Sequence, residues 1–157
     1  NRNVVRMLLK TLAYEHQDDL LPAKWEIEHI FPQKWQTNYF PDEPDATIKE
    51  KIEHIGNKLP FEKKLNIVAG NGYFGKKKKE YIASKIVITK AMGTSDVMDW
   101  NLESITKRDI RVSDEVVKIM NRWNNEYLNT PVSEGKAGEP SEEELAQIEK
   151  FKKNGWI

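Results

Sequence analysis

Hydrophobic and polar residues follow two different periods in the first sixty positions, and these periods predict a helix and two strands. The helix is predicted from apolar residues that return every three or four positions: Val4, Val5, Leu8, Leu9 and Leu12. A break is expected at Pro22, and residues 25–31 then alternate between apolar and polar, which predicts a short strand ended by Pro32. A second strand is predicted over residues 58–61, where Pro60 limits it to a sheet edge or a strand end.

Helices dominate the rest of the prediction. Residues 47–55, 76–92, 101–111 and 141–153 each have a helical pattern, with a loop at 35–45 and a linker at 130–140. Gly56 is expected just past the end of its helix, and Ile82, Ala83 and Ile86 are expected as the buried stripe of 76–92. Ser113 is predicted to cap a further helix whose apolar face holds Val116, Ile119, Met120, Trp123 and Tyr127. Two short strands among these helices predict a mainly helical α+β fold.

Composition narrows the class of protein. The 157 residues suit one domain, and the absence of cysteine excludes disulfides, zinc-thiolate sites and thiol nucleophiles. No apolar run has the roughly 18 residues of a membrane helix, and there is no signal-peptide pattern. A cytoplasmic protein is consistent with this. Because the chain begins at Asn1 rather than Met, we interpret it as part of a longer protein.

The charge is balanced overall but unevenly distributed. With 25 basic and 25 acidic residues, the chain does not have the basic excess of a non-specific nucleic-acid coat. Residues 58–90 nevertheless contain nine lysines against two acids. A local basic band of this kind can bind a phosphate backbone. Two interpretations fit the run Lys76, Lys77, Lys78 and Lys79: such a binding surface, or the solvated start of a helix. Positive charge is unfavourable at a helix N-terminus, so its presence there slightly favours the binding surface.

Candidate chemistry centres on Glu28 and His29 at the end of the first predicted strand. A carboxylate suits a hard cation such as Mg²⁺ or Mn²⁺, and a neutral imidazole suits proton abstraction. A later Asn can offer an amide oxygen to the same cation or hold a loop. These three groups would form a set that can cleave a phosphodiester. On residue types alone, however, a His beside a Glu is more often structural.

The order and spacing of several segments resemble the HNH (His-Me finger) nuclease motif. These segments are residues 28–33, 56–59 and 65–66, with nine residues from Asn57 to Asn66. More closely, residues 1–127 resemble the C-terminal nuclease domain of GmrSD-type modification-dependent restriction endonucleases. That likeness rests on Glu28, His29, Ile30, Pro32, Gly56, Asn57, Leu65, Asn66, Asn71, Phe74, Lys77, Tyr81, Ser84, Trp100, Ile105, Arg108 and Trp123.

The resemblance implies a role for each matching residue. His29 would be the general base, Asn57 would fix the loop that orients it, and Lys77 would contact the scissile phosphate or a neighbouring one. Glu28 and Asn66 would bind one Mg²⁺ or Mn²⁺. DNA contacts from the basic band would come from Lys58, Lys76, Lys78 and Lys79.

The resemblance also implies a fold and a setting. It predicts a ββα-metal finger, with its core at about 25–91, embedded in a helical domain of residues 1–129, followed by the linker and short helix of 130–157. It implies a metal-dependent DNA endonuclease of bacterial restriction or anti-phage defence, in the cytoplasm. An N-terminal nucleotide-binding domain or subunit would be its partner, together with DNA.

Alternative interpretations remain for several residues. His54 and His16 are expected to be structural. Asn71 competes with Asn66 as a cation ligand, although Asn-Gly is also a turn signal and the spacing favours Asn66. Five aromatic residues are expected in the core rather than stacked on bases: Trp25, Phe31, Trp35, Trp100 and Trp123. The alternative function is an inactive HNH-like module that binds DNA or protein.

Overall fold

The computed structural model describes residues 1–36, 43–129 and 142–153. These residues form a mainly helical α+β fold, as predicted. The helices are α1 (Arg2–Glu15), α2 (Asp45–Ile52), α3 (Lys63–Ala69), α4 (Phe74–Ile82), α5 (Val87–Thr94), α6 (Leu102–Asn129) and α7 (Glu142–Lys153). The strands are β1 (Trp25–His29) and β2 (Lys58–Glu62), and one turn of 3₁₀ helix (Ile55–Asn57) precedes β2.

The two strands pair antiparallel, with His29 opposite Lys58 and Trp25 opposite Glu62. Both strands are edges of this small sheet, so Pro60 fits in β2 despite its missing N–H. α3 follows β2 directly, which gives the order strand, strand, helix that the resemblance implies. Metal binding by this unit stays a prediction.

The core lies beside the sheet and holds both β2 and the residues that follow β1. From β2 and the segment after β1, the buried residues are Ile30, Phe31, Leu59 and Phe61. They belong to the same cluster as aromatic residues of α4 and Ile105 of α6. The remaining buried members are Ile48, Ile52, Ala69, Phe74, Tyr81, Trp100 and Ile105. This packing fixes the end of β1, where Glu28 and His29 lie.

The predicted helix over 76–92 is wrong in one respect, because it is two helices with a turn between them. Ser84 lies in that turn, where its Oγ accepts a hydrogen bond from the N–H of Ile86. Of the predicted stripe only Ile86 is buried, while Ile82 and Ala83 are exposed. Gly93 of α5 allows the close approach, since a Cβ there would lie 2.6 Å from the backbone nitrogen of Ile82.

Two further element predictions are corrected. Ser113 caps no helix, because it lies inside the continuous α6. The residue that bonds to the first turn of α6 is Asn101, whose Oδ1 accepts a hydrogen bond from the N–H of Ser104 at 2.9 Å. Gly56 lies in the 3₁₀ turn rather than at the end of α2. The short helix α3 lies where the hydrophobic pattern predicted no element, although the resemblance implied a helix after the second strand. On α6, Ile119 is buried, but Met120, Trp123 and Tyr127 are exposed.

The chain divides into two compact units, Asn1–Asn121 and Arg122–Ile157. The candidate residues all belong to the first unit. The predicted linker at 130–140 and the cap at Ser141 lie outside the described residues, and the predicted boundary after residue 129 stays a prediction. Among the described helices, none combines the length and apolar character needed to cross a bilayer.

Candidate active site

Glu28 is buried at the end of β1, with 4% of its surface exposed. Its Oε1 accepts a hydrogen bond from the hydroxyl of Tyr81 at 2.8 Å and lies 2.7 Å from the Nζ of Lys77. The same Nζ donates to the backbone oxygen of His29. Lys77 and Tyr81 are one helical turn apart on α4, so this helix presents both groups to β1.

Burial opposes charge in this cluster. It lowers the pKa of Lys77, while the nearby Glu28 raises it and only partly offsets the burial. Burial also raises the pKa of the Tyr81 phenol well above its usual range, and the charge of Glu28 adds to that rise. Tyr81 is therefore a neutral hydrogen-bond donor to Glu28.

His29 lies on the other side of β1 from these contacts, towards the end of α2. Its Nε2 is buried and lies 3.2 Å from Oε1 of Glu53, without the angles of a hydrogen bond. Burial lowers the pKa of His29, and Glu53 opposes part of that lowering. The imidazole is thus neutral at neutral pH, which is the state that can accept a proton.

Asn57 is fully buried and binds the chain immediately after His29. Its Oδ1 accepts from the N–H of Phe31 at 2.7 Å and from Nε1 of Trp100 at 3.2 Å. Its Nδ2 donates to the oxygens of Phe31 at 3.1 Å and Ile52 at 2.9 Å. In addition, the N–H of Ile30 donates to the backbone oxygen of Asn57 at 2.9 Å. These bonds hold the segment after β1 in place.

A cavity of about 240 Å³ brings several of the predicted site residues together. It is lined by Ile27, Glu28, His29, Gln33, Asn66, Ile67, Gly70, Asn71 and Lys77. Glu28 and His29 alternate along β1 yet both reach this cavity, because β1 ends there. Asn66 comes from α3, one turn into the helix.

Asn71 lines the cavity but is already bonded to the loop after β1. Its Oδ1 accepts from the N–H of Lys34 at 3.1 Å, and its Nδ2 donates to the oxygen of Lys34 at 2.7 Å. A reciprocal pair of this kind holds two loops together. Of the two asparagines, Asn66 is therefore the one whose side chain has no hydrogen bond among the described residues.

The predicted DNA-binding lysines are in different environments. Lys58 is buried, and its Nζ bonds to the backbone oxygen and Oε2 of Glu53. Lys78 donates to the backbone oxygens of residues 95 and 97 at 2.6 and 2.7 Å. Lys76 and Lys79 are exposed. Lys77 lines the cavity, but its ammonium is bonded to Glu28 rather than free at the surface. Of the four lysines predicted to contact DNA, only Lys76 and Lys79 are exposed.

Three contributing residues were missed by the sequence reasoning. Glu53 was not singled out, and no local signal places it beside His29. Arg108 was named only as part of the family likeness, but its Nη1 donates to the backbone oxygens of Ile55, Gly56 and Lys58 and so fixes the turn before β2. Asp109 accepts from Gly56 N–H and lies 2.7 Å from Nδ1 of His54, which gives His54 a structural partner.

The oxygen-bearing side chains of the cavity suit a hard divalent cation that takes only a few of its ligands from the protein. Glu28 offers a carboxylate and Asn66 an amide oxygen, and Mg²⁺ commonly takes one or two carboxylates and keeps several waters or phosphate oxygens. Both described bonds of the Glu28 carboxylate go to Oε1, not to Oε2. The described residues contain no group of three or more His, Asp or Glu side chains that could hold a metal ion. A cation held by Glu28 and Asn66 would therefore need solvent or substrate oxygens to complete its coordination.

Taken together, one cavity is lined by a half-buried neutral imidazole, a carboxylate and an amide side chain. The family model for the C-terminal domain of GmrSD restriction endonucleases matches residues 1–112. The chain therefore belongs to this family, and membership indicates the nuclease module of a restriction endonuclease. Searches of the curated proteins and of the solved structures found no match.

Proposed function

We propose that this chain is a metal-dependent DNA endonuclease that hydrolyses phosphodiester bonds. The observation that carries the proposal is the shared cavity of Glu28, His29 and Asn66 in a chain of this family. Those three side chains combine a proton acceptor with two oxygen ligands.

In the proposed reaction, His29 removes a proton from a water molecule as that water attacks phosphorus. The water O–H bond breaks, a new P–O bond forms, and the P–O bond to the leaving sugar oxygen breaks. Glu28 and Asn66 would hold one Mg²⁺ or Mn²⁺, which supplies stabilisation of the charge on the phosphate and leaving oxygen. Asn57 keeps the backbone after His29 fixed, and Lys77 and Tyr81 keep Glu28 in place.

The setting follows from the family. Restriction of foreign DNA in the bacterial cytoplasm is the proposed role, with a nucleotide-binding domain or subunit as partner. The exposed Lys76 and Lys79 are the proposed contacts to the DNA backbone, since exposed ammonium groups bind phosphate and displace its counterions.

A supercoiled-plasmid assay with Mg²⁺ or Mn²⁺ tests this proposal. Cleavage should require the metal, stop with EDTA and be lost in His29→Ala. His16→Ala is the matched control, because His16 is an exposed histidine paired with Glu115 rather than with the cavity. Equal activity of His29→Ala and wild type would overturn His29 as the base.

The alternative is an HNH-like module that binds DNA or protein without cutting. The bond from Lys77 to Glu28 favours it, since an ammonium group already neutralises the carboxylate that a cation would need. Calorimetric titration with Mn²⁺ separates the two functions. Binding that is lost in Glu28→Gln supports the endonuclease, whereas a folded chain with neither cation binding nor cleavage supports the binding module.

A further inference from the structure

Among the described residues, Glu53 is the one acidic side chain in direct contact with the imidazole of His29. Its Oε1 lies 3.2 Å from Nε2 of His29, outside hydrogen-bond angles, and that buried nitrogen has no hydrogen-bond partner among the described residues. Glu53 comes from the end of α2, whereas His29 comes from the end of β1. Their contact is therefore tertiary.

The carboxylate of Glu53 is held in place although 56% of its side chain is exposed. Oε2 accepts from the Nζ of Lys58 at 2.8 Å, and the same Nζ bonds to the backbone oxygen of Glu53. Lys58 is buried and lies directly opposite His29 across the sheet. The strand partner of His29 thus anchors the carboxylate that contacts its ring.

The electrostatics of this contact select one tautomer of the neutral ring. An imidazole nitrogen presents either an N–H or a lone pair, and the hydrogen bond made by one nitrogen decides which form the other takes. A lone pair directed at a carboxylate is repulsive, whereas an N–H is attractive. Nε2 therefore carries the proton, and Nδ1 carries the lone pair.

We infer that Glu53 is a positioning residue that holds His29 as the Nε2–H tautomer and leaves Nδ1 as the proton acceptor. His29 lines both the cavity of Glu28 and Asn66 and a second cavity, of about 420 Å³, that Glu53 and Lys58 line. Because Nε2 lies beside Glu53, Nδ1 is the ring nitrogen that is left for the cavity of Glu28 and Asn66. The catalytic meaning of this inference rests on the proposed function, because it assumes that His29 takes a proton from water. The tautomer itself does not depend on activity.

The chemistry of proton transfer gives Glu53 a second effect. When Nδ1 accepts the proton from water, the ring becomes a cation, and the carboxylate 3.2 Å away stabilises that charge. Both effects act on the chemical step rather than on DNA binding. Outer partners of this kind typically contribute on the order of 10- to 100-fold in activity.

The direct test is the tautomer, read by long-range ¹H–¹⁵N correlation of the imidazole rings at pH 8.5. The chain has three histidines, and the His29 signals are assigned by their loss in His29→Ala. Wild type should give the Nε2–H pattern for His29. Glu53→Gln should keep this pattern, because its amide oxygen can still place a partial negative charge beside Nε2, and Glu53→Ala should shift the ring towards a mixture of tautomers.

The functional test compares kcat and KM of the same variants in the plasmid assay. In Glu53→Ala we expect kcat to fall on the order of 10- to 100-fold with KM unchanged, and Glu53→Gln should lie between that variant and wild type. Glu50→Ala is the matched control, since Glu50 is an exposed acid of the same helix, and it should behave as wild type.

The outcomes separate this inference from the proposed function. An Nδ1–H tautomer in the wild type overturns the inference even if the chain cleaves DNA. Wild-type kcat in Glu53→Ala overturns the positioning role. An Nε2–H ring that depends on Glu53 in a chain that binds metal but cuts no DNA supports the structural inference and counts against the endonuclease.

Discussion

The side chain of Asn57 is the best place to test how the site is held, because it makes four hydrogen bonds in a fully buried position. Asn57→Ala removes all four. It leaves Nε1 of Trp100, which has one proton, without an acceptor among the described residues, and it removes the 2.7 Å bond to the N–H of Phe31. The backbone oxygens of Phe31 and Ile52 each lose a donor.

The magnitude follows from the four lost bonds. A hydrogen bond contributes about 1 kcal/mol net, so the loss of four gives a loss of about 4 kcal/mol in the free energy of unfolding. Typical domains have only about 5–15 kcal/mol in total. Asn57→Ala should therefore be strongly destabilised but still partly folded at low temperature.

Urea unfolding followed by tryptophan fluorescence measures this loss through the midpoint and the slope. Asn121→Ala is the control, since Asn121 is exposed on α6, and its unfolding free energy should change by less than about 0.5 kcal/mol. A loss below about 1 kcal/mol in Asn57→Ala, with an unchanged slope, would refute the argument that these bonds fix the chain after His29.

Three further results are expected. Gly56→Ala should lower the unfolding free energy by about 1–3 kcal/mol, because the added Cβ would lie 2.3 Å from the backbone oxygen of Ile105; thermal unfolding measures it. Lys77→Met should lower it by about 3–5 kcal/mol in metal-free buffer, because the buried carboxylate of Glu28 loses its ion pair; urea unfolding measures it. Stability should fall as pH drops below about 6.5, because burial lowers the folded-state pKa of His29, so the unfolded chain binds the proton first. Cleavage should fall only at still lower pH, where the folded protein protonates His29; urea unfolding and the plasmid assay across pH measure the two effects.

Each of these expectations has its own control. Gly75→Ala should be tolerated, since a Cβ there meets nothing within 4 Å, and equal Tm values for the two glycine variants would contradict the packing argument. Glu28→Gln with Lys77→Met should be more stable than Lys77→Met alone, and no recovery would show that charge is not the cause. A cleavage profile that stays flat from pH 5 to 9 would count against His29 as the base.

The local periods along the sequence were sufficient for most elements. The apolar spacing of the first segment and the alternation at β1 predicted α1 and the strand that carries Glu28 and His29, because both patterns reflect which face is buried. Pro32 lies shortly after the end of β1, whereas Gly56 did not mark the end of α2. The break between α4 and α5 was not visible, because it depends on Ser84 and on the close approach of Gly93 to α4 rather than on a helix breaker.

By itself, the sequence determined that an acid and a histidine stand side by side, with asparagines at set distances, in a chain of the GmrSD C-terminal family. Only the tertiary structure decided what those residues contact. Glu53 reaches His29 from 24 positions away, and Lys77 places its ammonium on Glu28 across 49 positions, so neither contact has a local pattern. Burial then decides the charge of each group, because the cost of removing a charge from water depends on the whole packed chain and not on neighbours in sequence.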